Sequence, residues 1–156
     1  MIRIQTILHP TDFSEPSKYA LAYAMSFAEE YNAKVCVVHV IEEVSSALYF
    51  DMLQAPPLAQ LMADIEKQAQ KAMEELIAPE MRTKYRVETF IRKGVPFLEI
   101  VRCAEEINAD MIVCGTHGRT GLKHAIFGSV AEKVVRKAPC PVLSVRHPEH
   151  KFVMPV

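Results

Sequence analysis

The chain alternates short runs of apolar, β-branched residues with longer segments whose apolar residues recur every three or four positions. The short runs predict buried strands, and the longer spacing predicts helices with one apolar face. Five strands are predicted from this pattern, at residues 2–9, 33–41, 86–91, 111–114 and 141–145.

Helices are predicted between these strands. The first spans residues 14–31, with Ser14 as its N-cap and Pro16 in its first turn. The longest spans 58–77, where apolar residues recur at helical spacing. Two more begin after Gly94 and at residue 129, whereas 42–57 is irregular and ends in two prolines.

Strict alternation of strands and helices is typical of an α/β fold. The second predicted strand is nearly continuous in valine, which favours a parallel sheet covered by helices on both faces. We therefore expect a single, doubly wound, five-stranded parallel sheet. The absence of a linker composition predicts one domain, residues 1–146, followed by a short C-terminal tail, residues 147–156.

Composition narrows the functional classes. Half of the 156 residues are hydrophobic, and 18 basic against 19 acidic residues give a formal net charge of −1. Such a chain has no overall field to attract nucleic acid or an anionic membrane. No apolar stretch reaches the ~20 residues that span a bilayer. The four cysteines form no CxxC pair and no secretory signal is evident, so a cytoplasmic protein with reduced thiols is expected.

Glycines concentrate in the segment after the fourth predicted strand. Four of the five glycines in the chain lie there, at positions 115, 118, 121 and 128. Glycine lets a ligand approach the backbone closely, and the following helix N-terminus offers unpaired N–H groups. Arg119 and Lys123 add positive charge, so a phosphate chain suits this segment.

Other interpretations of the segment stay open. Ser129 and Glu132 have the spacing of a capping box, in which Ser129 satisfies only its own helix. His117 and His124 lie in the same loop, where they could touch phosphate or be surface residues without a role. The segment is not a Walker loop, and no G-x-G-x-x-G follows the first strand.

The spacing Gly115-x-x-Gly118, nine residues, then Gly128-Ser129 resembles the ATP-binding signature of the universal stress protein family. Residues 7–14, 39–41, 109–119 and 139–143 are also similar to that family. The resemblance runs from about Ile2 to Arg146, and the tail lies outside the family pattern.

The resemblance implies a Rossmann-like sheet with strand order 3-2-1-4-5. The first and fourth strands are then neighbours at the point where the winding reverses, which is where open α/β sheets bind ligands. Pro10, Thr11 and Asp12 at the end of the first strand would meet Gly115 at the end of the fourth.

The resemblance also implies roles for single residues. Asp12 would accept hydrogen bonds from ribose hydroxyls, although it is equally suited to capping the first helix. Pro10 and Thr11 would flank the adenosine, and Gly115 would lie under the ribose. Val40 would offer its backbone to the adenine edge, unless it is a core residue only.

Phosphate contacts are implied for the glycine segment. Gly118, Gly128, Ser129 and Val130 would bind phosphates through their N–H groups, and Arg119 would reach the terminal phosphate. The expected cofactor is ATP, with ADP or AMP as alternatives. Mg²⁺ would be coordinated mainly by phosphates and water.

Three function classes compete. The first is an ATP-binding, nucleotide-dependent regulatory or stress-response module; the second is a slow ATP hydrolase; the third is a dimerisation scaffold that uses no nucleotide. Phosphoryl transfer needs a group that positions the nucleophile, and His117 is the one nearby candidate, so binding is favoured over turnover, with weak ATPase activity at most. The edge strand at 141–145 is expected to pair two copies in a homodimer, and an unknown client protein stays open.

Overall fold

The computed structural model describes residues 1–43, 58–117 and 128–149. Five strands and five helices lie in these ranges. The strands are β1 (Thr6–Pro10), β2 (Lys34–Glu42), β3 (Val87–Gly94), β4 (Met111–Gly115) and β5 (Val142–Val145). The helices are α1 (Glu15–Tyr31), α2 (Leu58–Leu76), α3 (Pro79–Tyr85), α4 (Pro96–Glu106) and α5 (Ser129–Lys137).

All five strands are parallel and form one sheet in the order β3-β2-β1-β4-β5. The predicted fold class and strand order are therefore confirmed. The winding reverses between β1 and β4, where Leu8 pairs with Cys36 on one side and with Ile112 on the other.

Successive strand residues point to opposite faces and divide the core into two layers. Ile7 and Val37 pack with the buried face of α1, while Leu8 and Val38 pack with α4 and α5. Because both faces of β1 and β2 are covered, consecutive residues such as Ile7 and Leu8, or Val37 and Val38, are apolar.

The start of β1 differs from the prediction. Residue pairing begins at Thr6, opposite Lys34, and the N–H of Lys34 donates to the carbonyl of Gln5 over 2.8 Å. None of the described strands pairs with residues 2–4. The N–H groups of Gln5 and Thr6 instead donate to Oδ2 of Asp110, over 2.7 and 2.9 Å. The apolar character of Ile2 therefore does not indicate a strand, and Ile2 is exposed.

Helix α1 begins and ends as its sequence predicts. Ser14 is the N-cap in an extended conformation, and the N–H of Ser17 donates to its hydroxyl oxygen over 3.4 Å. Asn32 adopts the left-handed conformation at the C-cap, where its N–H donates to the carbonyl of Ala28.

Helix α3 was not predicted, and it shifts the start of the third strand. The helix has seven residues, too few for a helical period to be visible in the sequence. It ends at Tyr85, and its C-cap Arg86 has a φ of 49° and is therefore not in the strand predicted at 86–91, which begins at Val87. The Arg86 guanidinium donates to the carbonyl oxygen of Asn32, which fixes this turn beside the end of α1.

Several predictions concern residues outside the described ranges: most of the irregular segment 42–57, Gly118, Arg119 and the last seven residues of the tail. Among the described helices, none has the length and hydrophobicity that crossing a membrane requires.

Candidate functional site

A cavity of about 540 Å³ lies at the carboxyl ends of β1 and β4, where the winding reverses. Its volume is in the range of ligand-binding clefts. Eight of the ten predicted site residues line it: Pro10, Thr11, Asp12, Val40, Gly115, Gly128, Ser129 and Val130. Gly118 and Arg119 lie outside the described residues. The structure thus brings these eight residues together, while their binding roles stay predictions.

The turn from β1 to α1 is built around Thr11. Its hydroxyl oxygen accepts from the N–H of Phe13 over 3.1 Å and from the hydroxyl of Ser17 over 2.9 Å. Its carbonyl accepts from Nδ1 of His39 over 2.8 Å, and its N–H donates to the carbonyl of Val38. These four bonds hold the wall of the cavity in one backbone conformation.

Asp12 combines a capping contact with a position on the cavity wall. Its Oδ1 accepts from the N–H of Ser14 over 3.0 Å and from the Ser14 hydroxyl over 2.5 Å. The capping alternative for this residue is therefore present in the structure. It does not displace the ligand-binding alternative, because an ionised carboxylate accepts several hydrogen bonds on two oxygens.

Phe13, between Asp12 and Ser14, has a φ of 65°. This left-handed conformation costs a residue with a side chain about 1–2 kcal/mol. The ring lies 4.4 Å from the imidazole of His39, centroid to centroid, which offsets part of that cost. The turn is therefore held by tertiary contacts and not by local preference.

Gly115 has a packing reason to be glycine. A Cβ at this position would lie 3.2 Å from the carbonyl oxygen of Pro16 in the first turn of α1 and 3.4 Å from the carbonyl oxygen of His117. Gly115 also lines the cavity. The absence of a side chain lets β4 end directly against the start of α1.

Helix α5 begins one residue earlier than a capping box would require. Its N-cap is Gly128, whose carbonyl accepts from the N–H of Glu132 over 3.0 Å. Ser129 is the first helical residue, and the N-cap Gly128 has no side chain that could cap the helix. The capping-box alternative is therefore wrong, because Ser129 lies inside the helix and not before it.

The backbone amides at this helix end have different partners. The N–H of Gly128 donates to the carbonyl of Thr116 over 2.6 Å and is therefore used within the protein. The N–H groups of Ser129 and Val130 belong to the first turn, where a helix supplies no acceptor. These two residues line the cavity and provide its partial positive charge.

Lys133 is a cavity residue that sequence reasoning missed. It follows Ser129 by four positions, one helical turn, and lines the same cavity. Its Nζ lies 5.1 Å from the centre of the Phe97 ring, a cation–π distance. The helical spacing from Ser129 was the signal that could have identified it.

His117 is buried, in contrast to the surface position expected for a loop histidine. It is 8% exposed, and its Nδ1 lies 2.9 Å from the hydroxyl oxygen of Thr116. The N–H of Thr116 donates to the carbonyl of Val145, which extends the β4–β5 pairing to the residue before His117. His117 also lines the cavity.

His9 lies beneath the site and was also missed. It is fully buried, and its Nδ1 donates to the carbonyl of Val113 over 2.8 Å, from β1 to β4. Burial lowers its pKa from 6.5 to about 4, against the opposing effects of the Val113 bond and of Asp12. The imidazole is therefore neutral near pH 7.

Metal coordination by the protein alone has no support in the part of the chain that the structure describes. No group of three or more His, Cys, Asp or Glu side chains with suitable positions occurs there.

The sequence profile of the universal stress protein family matches residues 3–146. The chain belongs to the universal stress protein family. It is 38% identical over 144 residues to universal stress protein MJ0531 of Methanocaldococcus jannaschii, covering 92% of this chain and 82% of that relative. It is 32% identical over 158 residues to universal stress protein MJ0577 of the same organism, covering 93% and 96%.

Solved structures of the family share the fold. The structure of MJ0577 has a TM-score of 0.81 and covers 94% of this universal stress protein and 98% of its own chain, at 32% identity. A universal stress protein in complex with cAMP has a TM-score of 0.57 at 25% identity, covering 92% and 97%.

Proposed function

We propose that this universal stress protein binds an adenine nucleotide in the cavity between β1 and β4 and acts as a nucleotide-dependent regulatory or stress-response module. ATP is the first candidate, with ADP or AMP as alternatives. The observation that carries the proposal is the convergence of Asp12, at the end of β1, and Ser129, at the start of α5, on one cavity.

The two halves of the cavity suit the two halves of a nucleotide. Apolar side chains from β2, α2 and α4 provide surface for a base, and Val40 lines the cavity two residues past Val38, the last β2 residue that pairs with β1. Asp12 is the carboxylate for ribose hydroxyls. The cAMP complex of a family member supports the adenine nucleotide class.

The phosphate half has its positive charge at α5. The first turn of this helix, at Ser129 and Val130, favours an anion through its N–H groups and dipole. Lys133 adds a full charge on the same wall. Gly118 and Arg119 complete the proposed set, and Mg²⁺ would be held largely by phosphates and water.

Binding is favoured over turnover. Phosphoryl transfer requires a group that orients the attacking water. His117 lines the cavity, but its Nδ1 lies within hydrogen-bond distance of the Thr116 hydroxyl. A slow ATP hydrolase, with His117 as the water-orienting residue, is therefore the second candidate.

We also propose a cytoplasmic homodimer. Strand β5 lies at an edge of the sheet, where unpaired backbone groups favour pairing with another strand. Light scattering at micromolar concentration is expected to give twice the 17.6 kDa chain mass, whereas the mass of a single chain would contradict the dimer. A client protein would be sought by affinity capture with and without nucleotide.

The decisive experiment is to denature the purified protein and identify released nucleotide by chromatography. ATP, ADP or AMP is expected, and calorimetry with the emptied protein would rank them. A steady-state phosphate-release assay then separates a binder from a hydrolase, with the His117→Ala variant as control. No released nucleotide and no heat of binding would leave the scaffold alternative.

A further inference from the structure

An aromatic ridge runs along one flank of α1. It consists of Tyr19, Tyr23, Phe27 and Tyr31, each four residues after the last. Tyr23 and Tyr31 are 41% and 45% exposed, and the other two are half-buried. Two pairs of rings are in contact, with centroids 5.5 Å apart for Tyr19 and Tyr23 and 6.2 Å apart for Phe27 and Tyr31.

The ridge lies on the β5 side of the molecule. The opposite flank of α1 carries Glu29, which pairs with Lys84 of α3, over 3.3 Å, near the β3 edge. On the ridge side, the His147 ring packs edge-on against Tyr19 at 5.2 Å. The chain therefore leaves β5 and immediately contacts the first residue of the ridge.

The described chain ends at Glu149, two residues after this contact, and seven residues follow. Five of these seven, from Phe152 to Val156, are apolar. Seven extended residues reach about 23 Å, and the twelve positions from Tyr19 to Tyr31 span about 18 Å of helix. The remaining chain is long enough to cover the ridge and starts at one end of it.

We propose that residues 150–156 lie along the aromatic ridge of the same chain, with Phe152 and Met154 against its rings. Aromatic side chains are a good surface for methionine sulfur and for a phenylalanine ring. The tail then stabilises the position of α1. The N-cap of this helix, Ser14, donates to the carboxylate of Asp12 at the cavity. This assignment does not depend on nucleotide binding.

Photo-cross-linking tests the contact. The full chain is prepared with p-benzoylphenylalanine in place of Phe152, irradiated, digested and analysed by mass spectrometry. The expected product is a cross-link to the α1 peptide within a band of single-chain mass. A cross-link elsewhere, a two-chain band from the tail of a second copy, or no cross-link at all would overturn the proposal.

Fluorine NMR on protein containing fluorotyrosine tests the same contact without a reactive group. Removal of residues 150–156 is expected to shift the resonances of Tyr19 and Tyr23, assigned from Tyr→Phe variants. Tyr85 of α3, which lies near the β3 edge of the sheet, is the internal control, and its resonance should not shift. Unchanged Tyr19 and Tyr23 resonances, or equal shifts at all three, would overturn the proposal.

Discussion

The N–H of Gly128 donates to the carbonyl oxygen of Thr116 over 2.6 Å, and this bond connects the start of α5 to the end of β4. The bond therefore positions the first turn of α5 at the cavity, and it occupies the N–H group of Gly128.

The Gly128→Pro substitution tests this bond. Gly128 has a φ of −67°, which proline adopts without strain, so the variant removes the donor and leaves the local backbone angle acceptable. We expect a loss of about 1 kcal/mol in the free energy of unfolding, measured by chemical denaturation, and weaker ATP binding by calorimetry. Gly128→Ala keeps the N–H and is the matched control; equal ATP affinity in the two variants would contradict the role of the bond.

Lys133→Ala is expected to weaken ATP binding more than adenosine binding. The side chain is solvent-exposed, so the loss should be modest, about 1 kcal/mol or roughly fivefold in affinity. Lys137→Ala is the control, because Lys137 lies on the same helix but does not line the cavity. Calorimetry with both ligands decides: an equal loss for ATP and adenosine would exclude a phosphate contact.

Asp12→Ala is expected to weaken adenosine and ATP alike, because the proposed partner is the ribose. The variant also removes the acceptor that orients Ser14, so some stability is lost with it. Ser14→Ala removes the helix cap, at a cost of about 1 kcal/mol, while leaving the carboxylate in place. If Ser14→Ala lowers affinity as much as Asp12→Ala, the effect belongs to the turn and not to a ligand contact.

The sequence predicted the fold because its signals were local and repeated. Alternating apolar strands and helices define the α/β class, and the spacing of Gly115, Gly118 and Gly128 carried the resemblance that implied the strand order. The packing partner of Gly115 was not predictable. Pro16 is about a hundred positions away, and nothing local indicates that its carbonyl would lie 3.2 Å from an added Cβ.

Contacts across the sheet explain the remaining differences. His117 was expected at the surface because it lies in a loop, but the structure buries it, with its Nδ1 beside the hydroxyl of Thr116. The predicted start of the last helix at residue 129 is correct, and only the capping-box alternative, which would make Ser129 the N-cap, is wrong. The N-cap is Gly128, which is extended and whose carbonyl accepts from the N–H of Glu132.

Gly115→Ala tests the packing role of this glycine. The new methyl group would press on the backbone of Pro16, which cannot move without shifting the first turn of α1. We expect a loss of about 1–3 kcal/mol in the free energy of unfolding, measured by denaturant titration. A variant as stable as the parent would show that α1 adjusts freely at this point.

The buried imidazole of His9 predicts an acid-sensitive fold. Its pKa is about 4 in the folded protein against an ordinary value of 6.5, and burial is the main cause. Because the folded pKa is the lower one, the unfolded chain binds the proton more readily. The free energy of unfolding therefore falls as the pH drops from about 6.5 through 4, by about 3 kcal/mol in total.

His9→Asn separates this effect from other acid-sensitive groups. Asparagine does not titrate, and its side-chain amide offers a donor for the carbonyl of Val113 near the place of Nδ1. The variant should therefore lose less stability than the parent over the same pH interval in denaturant titrations. Parallel profiles would show that His9 does not titrate as proposed. An NMR titration of the His9 ring in the parent checks the pKa directly, since a value near 6.5 would contradict burial as its cause.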